Sequence, residues 1–366
     1  MIDWPHVDYG HTPYDAAFTR RDVYGIRPDP ARSAKRPLRL AMIGAGGVAQ
    51  AKWLPAIRRL QVTGEPLALV AFADPDPATR DKVAAHTGAT AHAGFEDLIG
   101  TVRPDLLLVL AADAVHGPAT RAAIERGIPV LVEKPLSRDA AEARAIAAFG
   151  RERGVLVGAV ANKRFSPPYA LAKRLVDGGH LKGAPSLFTG RFTLGYPYVD
   201  LLEGGTVHLI DLMHWFMGPV ADLHARATGN AARPENVVVT MRFASGAIGT
   251  LTTSAKALSF KPWERVEIVG AHAYLVVDDQ YDLTLYDDEC GPAKSWRPSI
   301  PNTLMFDEEF GGYAGLLEHM ADAVRGLTPL AATADDGAAA VTLIEAIRRS
   351  IATGNSIDPG HEGFAA

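Results

Sequence analysis

The sequence predicts an α/β protein in two parts: a parallel sheet covered by helices on both faces over residues 38–160, then an α+β part over 161–366 with a large, open, mostly antiparallel sheet. Three observations carry this. From Leu38 onward, short and almost wholly apolar runs alternate with helical stretches, the pattern of strands buried on both faces. After about residue 160 the runs alternate apolar with polar residues and few helices separate them, as in strands with one exposed face. The chain has 366 residues, 48% hydrophobic and 22% charged, which is enough for two cores.

Residues 1–37 are rich in Pro, Tyr, His, Asp and Arg and follow no period. They predict an extended arm, either disordered or packed on a partner subunit through Trp4, Tyr9, Tyr14 and Tyr24. Order begins with a strand, Leu38–Ile43, followed by Gly44-Ala45-Gly46-Gly47-Val48-Ala49 and a helical stretch holding Trp53, Leu54, Ile57 and Leu60. Between a strand and a helix, this glycine spacing has a mechanism. Gly44 allows a tight turn, Gly46 lets backbone approach a pyrophosphate, and Ala49 permits close helix–strand packing. The helix start then offers free N–H groups to the phosphates.

A second strand, Leu67–Ala73, ends in Asp74, 25 positions after Ala49 (74 − 49). An acidic residue there accepts from the adenosine ribose hydroxyls, at the usual interval of about 20. Asp74-Pro75 is also a turn start, and both readings are compatible. No arginine is adjacent to receive a 2′-phosphate, so NAD is expected over NADP. Alternation continues through helix Asp76–Thr87, a short helix opened by Phe95–Ile99, strand Asp105–Leu110, helix Ala119–Arg126 and strand Ile128–Val132. That strand ends in Glu133-Lys134-Pro135. Helix Asp139–Arg151, opened by Ser137, and strand Gly154–Ala159 follow. Ligands of open α/β sheets bind at the carboxyl ends of strands, which puts Lys134 where cofactor and substrate meet. The plainer reading makes Glu133 and Lys134 solvated strand-end residues and Pro135 a stop.

In the second part, Leu187–Thr193, Asn236–Phe243, Ile248–Ser254, Arg265–Val269 and Ala273–Asp278 read as strands. Helices are expected at Pro168–Asp177, Val207–Phe216, Gly315–Arg325 and Asp335–Thr353. A sheet with an exposed face is a candidate oligomer surface. The net charge of −5 steers the chain toward neither nucleic acid nor anionic membrane. The single cysteine, Cys290, fits a reducing compartment and excludes an internal disulfide framework. No apolar run is long enough to span a bilayer. No apolar core follows Arg20-Arg21, so a secretion signal is not indicated. A cytoplasmic protein is expected.

Four stretches together resemble the Gfo/Idh/MocA oxidoreductases (glucose–fructose oxidoreductase, inositol dehydrogenase and MocA). Ile43-Gly-Ala-Gly-Gly-Val-Ala49 resembles the family's dinucleotide loop, and Ala111-Ala-Asp-Ala-Val-His116 its T-P-N-x-x-H segment. Val132-Glu-Lys-Pro135 matches its E-K-P signature, and Asn162-Lys-Arg-Phe-Ser-Pro167 resembles N-R-R-F-S-P. Gly204-Gly205 with His208-Leu-Ile-Asp211 is a weaker match. The resemblance runs in order over roughly 38–355. It implies a Rossmann domain, an α+β domain whose open sheet often mediates a homodimer or homotetramer, and NAD(P)-dependent chemistry on a sugar, cyclitol or similar compound.

Carried over by position, Lys134 contacts the nicotinamide ribose and the reacting hydroxyl, His208 is the acid/base, and Asp211 orients the helix bearing His208. The cofactor set it implies is Gly44, Gly46, Gly47, Val48, Ala49, Asp74, Ala111, Asp113, His116, Glu133, Lys134, Asn162 and Arg164. The substrate set is Lys134, Arg164, His208, Asp211 and His214. The chemistry agrees on its own terms: oxidising an alcohol needs a proton taken from oxygen, and a Lys ammonium polarises that oxygen.

The sequence departs from the family in two places. Gly204 stands where the family has an aspartate four positions before the histidine, and Asp200 and Glu203 are out of register. Ala111, Ala112 and Asp113 replace Thr-Pro-Asn. His208, Asp211 and His214 at i, i+3, i+6 spread over about 120° of a helix, so no metal is expected. Lys261, Trp263 and Tyr313 are weaker candidates for substrate contact. Cys290 has no partnering His for nucleophilic catalysis. The reading is an NAD-dependent oxidoreductase of polyhydroxylated small molecules. The alternatives are an enzyme that recycles a bound NAD (a sugar–sugar oxidoreductase or redox-assisted glycosidase) and a non-catalytic NAD-binding regulator.

Overall fold

The computed structural model describes residues 29–195, 200–230, 232–257, 262–288, 290–297 and 311–360. Most of the N-terminal arm, and Lys261, lie outside them. Of the arm's end, Pro30–Ser33 forms one helical turn capped by Asp29. The chain forms two compact units. The first holds the described residues of Met1–Ser137, Glu142–Asn162 and Asn302–Asp335; the second holds those of Arg138–Ala141, Lys163–Pro301 and Asp336–Ala366.

The first unit is built on strands β1 (Leu38–Ile43), β2 (Leu67–Ala73), β3 (Thr90–His92), β4 (Leu106–Val109), β5 (Val130–Val132) and β6 (Val157–Ala159). They pair in the order β3-β2-β1-β4-β5-β6, all parallel. The order reverses between β1 and β4, which opens a crevice at their carboxyl ends. β4 and β5 are buried at every residue, so their apolar runs lack alternation, as a sheet covered on both faces requires. The helix before β5 runs Asp113–Glu125, starting six residues ahead of the expected Ala119 because Pro118 is accommodated inside it.

The two units do not follow sequence order about residue 160: Arg138–Ala141 falls in the second unit, and a late stretch returns to the first. Helix Tyr313–Val324 belongs to the first unit, its Tyr313 ring edge-on to Trp53 at 5.3 Å. Arg325 just beyond it pairs with the fully buried Glu65 at 2.5 Å. Ala332 and Thr333 cover the outer edge of β6.

The second unit carries an eight-stranded sheet ordered β14-β13-β12-β11-β7-β10-β9-β8. Its strands are β7 (Leu187–Thr193), β8 (Val220–Asn230), β9 (Arg233–Phe243), β10 (Ile248–Ser254), β11 (Trp263–Val269), β12 (Tyr274–Asp278), β13 (Asp282–Tyr286) and β14 (Lys294–Trp296). Only β7 and β10 pair in parallel. Buried and exposed residues alternate along β9, β10 and β11. The buried face packs Phe188, Phe192, Val239, Leu251 and Val266 against residues of helices Pro167–Asp177, Val207–Met217 and Ala334–Thr353.

Candidate functional site

In the first unit, Gly44 leaves β1 with φ +86°, in the region that favours glycine, and a Cβ there would stand 2.6 Å from Ala111 Cα. The glycine loop therefore runs directly against the end of β4. At Gly46 and Gly47 an added Cβ would meet nothing within 4 Å. Both face the open space of a cleft of about 500 Å³ lined by Gly44, Gly46, Gly47, Val48, Asp74, Phe95, Ala111, Ala112 and Val115. The chain then winds as a π-turn over Ala49–Trp53 before the α-helix Leu54–Val62. Ala49 is buried behind the loop. Bare backbone facing an open cleft beside a helix start fits a dinucleotide's pyrophosphate.

Asp74 stands at the carboxyl end of β2, 9% exposed. Its Oδ2 accepts the Ala45 N–H and its Oδ1 the Asp76 N–H, both at 2.9 Å. The carboxylate thus shapes the turn and ties it to the glycine loop, and spare lone pairs remain on each oxygen for ribose hydroxyls. An arginine also reaches this corner, without being adjacent in sequence. Arg80 Nη1 donates to the backbone carbonyls of Asp74 at 2.8 Å and Pro75 at 2.9 Å. Its signal was a cation placed on the first turns of the following helix.

At the end of β5, Glu133 is buried and Lys134 half-buried, and the Lys134–Pro135 bond is cis. Glu133 Oε1 accepts the Trp53 indole N–H at 3.0 Å, and Oε2 accepts the Lys134 backbone N–H at 3.0 Å. Sequence reasoning missed Trp53 as part of the site. Burial and then the Glu133 charge push the Tyr313 hydroxyl well above the ordinary tyrosine range. The Tyr313 ring is committed to Trp53. Asp113 opens the helix that carries His116. His116 is 1% exposed, with Nδ1 at 2.7 Å from the Pro135 carbonyl and Nε2 at 3.0 Å from that of Ala111. Asn162 donates to the Gly311 carbonyl at 2.6 Å, and its Oδ1 is buried with no hydrogen-bond partner among the described residues.

In the second unit, His208 is half-buried in the first turn of helix Val207–Met217, immediately after a π-wound segment, Leu201–Thr206. Both acids near the missing aspartate have partners of their own. Asp200 caps the π segment by accepting from the Leu202 and Glu203 N–H groups, and Arg348 bonds Asp200 at 3.2 Å and Glu203 at 3.0 Å. Asp211 is held by Arg164: Nε to Oδ2 at 2.9 Å and Nη2 to Oδ1 at 2.5 Å, with Asp336 at 3.0 Å from the same Nη2.

Arg164 is 4% exposed, and its ring contact is Trp215 at 5.7 Å. Burial opposes its charge, but the Asp211 and Asp336 carboxylates outweigh burial and raise its pKa. With two carboxylates on one guanidinium, burial and Asp336 raise Asp211 in spite of Arg164. Burial and then Arg164 hold the His214 imidazole below the ordinary histidine value. A second buried group escaped the sequence reading: Lys163 pairs with Glu264, which also accepts from the Tyr169 hydroxyl at 2.8 Å. Trp263, 43% exposed, stands on β11, and Cys290 is exposed.

Residues 38–160 match the family model described as the Gfo/Idh/MocA oxidoreductase family, NAD-binding Rossmann fold. Residues 201–358 match the same family's C-terminal α/β domain. Inositol 2-dehydrogenase 4 of Saccharopolyspora erythraea is 30% identical over 332 residues, 86% of this chain and 93% of that protein. An oxidoreductase from Agrobacterium radiobacter, solved with NAD+, L-tartaric acid and magnesium, superposes with a TM-score of 0.79 at 18% identity over 89% of this chain and 99% of its own. The WlbA dehydrogenase from Bordetella pertussis, solved with NADH and UDP-GlcNAcA, gives 0.76 at 19% identity over 88% and 98%. At such identities the two structures establish a shared fold.

Proposed function

The chain belongs to the Gfo/Idh/MocA family of oxidoreductases, and from that premise we propose that it moves a hydride between NAD and a hydroxyl-bearing carbon of a sugar, sugar derivative or cyclitol. The reading is carried by the cleft at the β1/β4 switch point, where bare glycine backbone and the Asp74 carboxylate border one crevice. Its substrate class draws on the inositol 2-dehydrogenase relative.

When bound, NAD supplies the nicotinamide ring that takes up or gives the hydride. Asp74 accepts from the adenosine ribose hydroxyls and favours NAD over NADP. Lys134, an ammonium at the end of β5, polarises the substrate oxygen. His208 takes the hydroxyl proton during oxidation and returns it during reduction. Asp211 and Arg164 hold the helix that carries His208. Arg164 does so with its charge answered by two carboxylates.

The test pairs binding with turnover. Wild type and Lys134→Ala are titrated with NADH, then assayed with NAD+ and a panel of myo-inositol, aldoses and hexuronates. NADH affinity within about threefold and turnover lowered by about 10³-fold in the variant is the expected result. Near-stoichiometric NAD released on denaturing fresh protein would instead favour an enzyme that recycles its cofactor. A wild type that binds NADH yet turns over nothing would favour a regulator.

A further inference from the structure

Lys134 is gripped through both of its neighbours in sequence. On one side, the Glu133 carboxylate takes the Trp53 indole N–H on one oxygen and the Lys134 backbone N–H on the other, each at 3.0 Å. On the other side, the Pro135 carbonyl lies 2.7 Å from His116 Nδ1, and His116 Nε2 lies 3.0 Å from the Ala111 carbonyl. Trp53 and His116 are 0% and 1% exposed, so neither meets a ligand directly.

Both residues belong to segments that wall the dinucleotide cleft. Trp53 closes the π-wound stretch that begins right after the glycine loop, and His116 follows Val115, which lines the cleft. The two walls touch each other, since a Cβ on Gly44 would stand 2.6 Å from Ala111. A shift of the glycine loop thus has two packed routes to the strand end: through Trp53 to Glu133, and through Ala111 and His116 to Pro135. Close-packed interiors pass on such shifts instead of absorbing them.

We propose that Trp53 and His116 are positioning residues that fix the Lys134 amine in register with the dinucleotide cleft, so that the two cleft loops set where the amine stands. The inference rests on the role given to Lys134 above. A bare packing role for Trp53 needs only its ring, which Tyr313 meets edge-on at 5.3 Å and 84°. Positioning needs the indole N–H. Without that donor the buried Glu133 carboxylate loses its partner from the glycine-loop segment, and the strand end is free to move.

Trp53→Phe keeps a ring against Tyr313 and removes the N–H, and His116→Gln is the second variant should the first fold poorly. Each full-length protein, saturated with NADH, is treated with a limiting amount of acetic anhydride. Lys134 acetylation is then read by peptide mass spectrometry against the exposed Lys256 as internal reference. The expected result is a rise of about fivefold or more in Lys134 acetylation, with the NADH dissociation constant of Trp53→Phe within about threefold of wild type. Unchanged Lys134 acetylation in both variants overturns the clamp and leaves the assignment of Lys134 untouched. A wild type with no affinity for NADH overturns the functional reading of the cleft, a separate failure seen before any variant is made.

Discussion

Asp74 and Arg80 present opposite charges at one corner of the cleft, and the proposed preference for NAD over NADP can be tested on that pair. The Asp74 carboxylate, fixed by two backbone amides, suits a ribose diol and repels a 2′-phosphate. Among the described residues the Arg80 guanidinium bonds through Nη1, to the carbonyls of Asp74 and Pro75, and its other N–H groups can meet an anion. Asp74→Ser is expected to favour NADPH by about tenfold or more relative to wild type, one charge-assisted contact being worth about 1.5–3 kcal/mol. Adding Arg80→Ala should abolish that gain, as checked by NADH and NADPH titrations of all three proteins. His214 supplies a second test at this scale. Burial lowers its pKa in the folded protein, so between that value and the unfolded value of 6.5 the unfolded chain binds more protons. That part of the stability is present above pH 6.5 and is lost as pH falls through the folded value. Asp211 works in the opposite sense, because its raised pKa makes the folded chain the better proton acceptor as pH falls toward 3.8. Melting temperatures of His214→Gln should therefore fall less than those of wild type between pH 7 and about 5.

Two π-wound segments, Ala49–Trp53 and Leu201–Thr206, lie directly beside the residues proposed to act. π-turns are rare and concentrate at functional sites, since an extra residue per turn redirects the side chains that follow. The second segment depends on Gly205, where an added Cβ would come 2.5 Å from Phe192 Cε1 in the buried core. Gly205→Ala should destabilise the protein by about 1–3 kcal/mol, seen as a lower melting temperature, and reduce turnover more than NADH binding because His208 follows the strained segment. Neither π-turn was legible in the sequence, which read a plain helical stretch around Trp53 and began the later helix only at Val207, because the register depends on what packs against it. The parallel sheet was legible, since strands buried on both faces leave uninterrupted apolar runs such as Leu106–Val109. β3, β8, β13 and β14 were not. β8 runs Val220–Asn230 with weak alternation and exposed polar residues at its far end, so little in its sequence separates it from a loop. The glycine loop, Asp74 and the strand-end Lys134 could be found because each carries a local pattern. The Trp53–Glu133 bond joins residues 80 positions apart, and Arg164–Asp211 joins residues 47 apart, so only the fold reveals them.

For the molecule as a whole, the feature that matters is the outer face of the eight-stranded sheet, whose side chains are exposed or half-buried among the described residues. Cross-strand register places Arg226, Val238, Thr252, Arg191, Arg265 and Asp278 in one row across it. Val238 is 49% exposed, Ile248 56%, Trp263 43% and Tyr286 48%, large apolar side chains on four of its strands. At its centre, Arg191 stands directly opposite Arg265. Like charges so placed disfavour the sheet unless they are answered. Arg265 has Glu267 at 2.6 Å and Asp278 at 2.7 Å, whereas Arg191 has no ion-pair partner among the described residues. A second copy meeting this face would cover the apolar side chains and could supply Arg191 with a carboxylate such as Glu267 or Asp282, the self-complementary arrangement a two-fold axis produces. The protein is therefore expected to sediment as a dimer or a higher even oligomer. Val238→Lys combined with Ile248→Lys would place two further cations on the face that carries Arg191 and should shift the population to monomer at micromolar concentration. The NADH dissociation constant should stay within about threefold, because the cleft residues all lie in the first unit. Sedimentation velocity of wild type and variant decides it: a wild type already monomeric at high concentration would overturn self-association through this face, and a variant that remains dimeric would place the contact elsewhere on the chain.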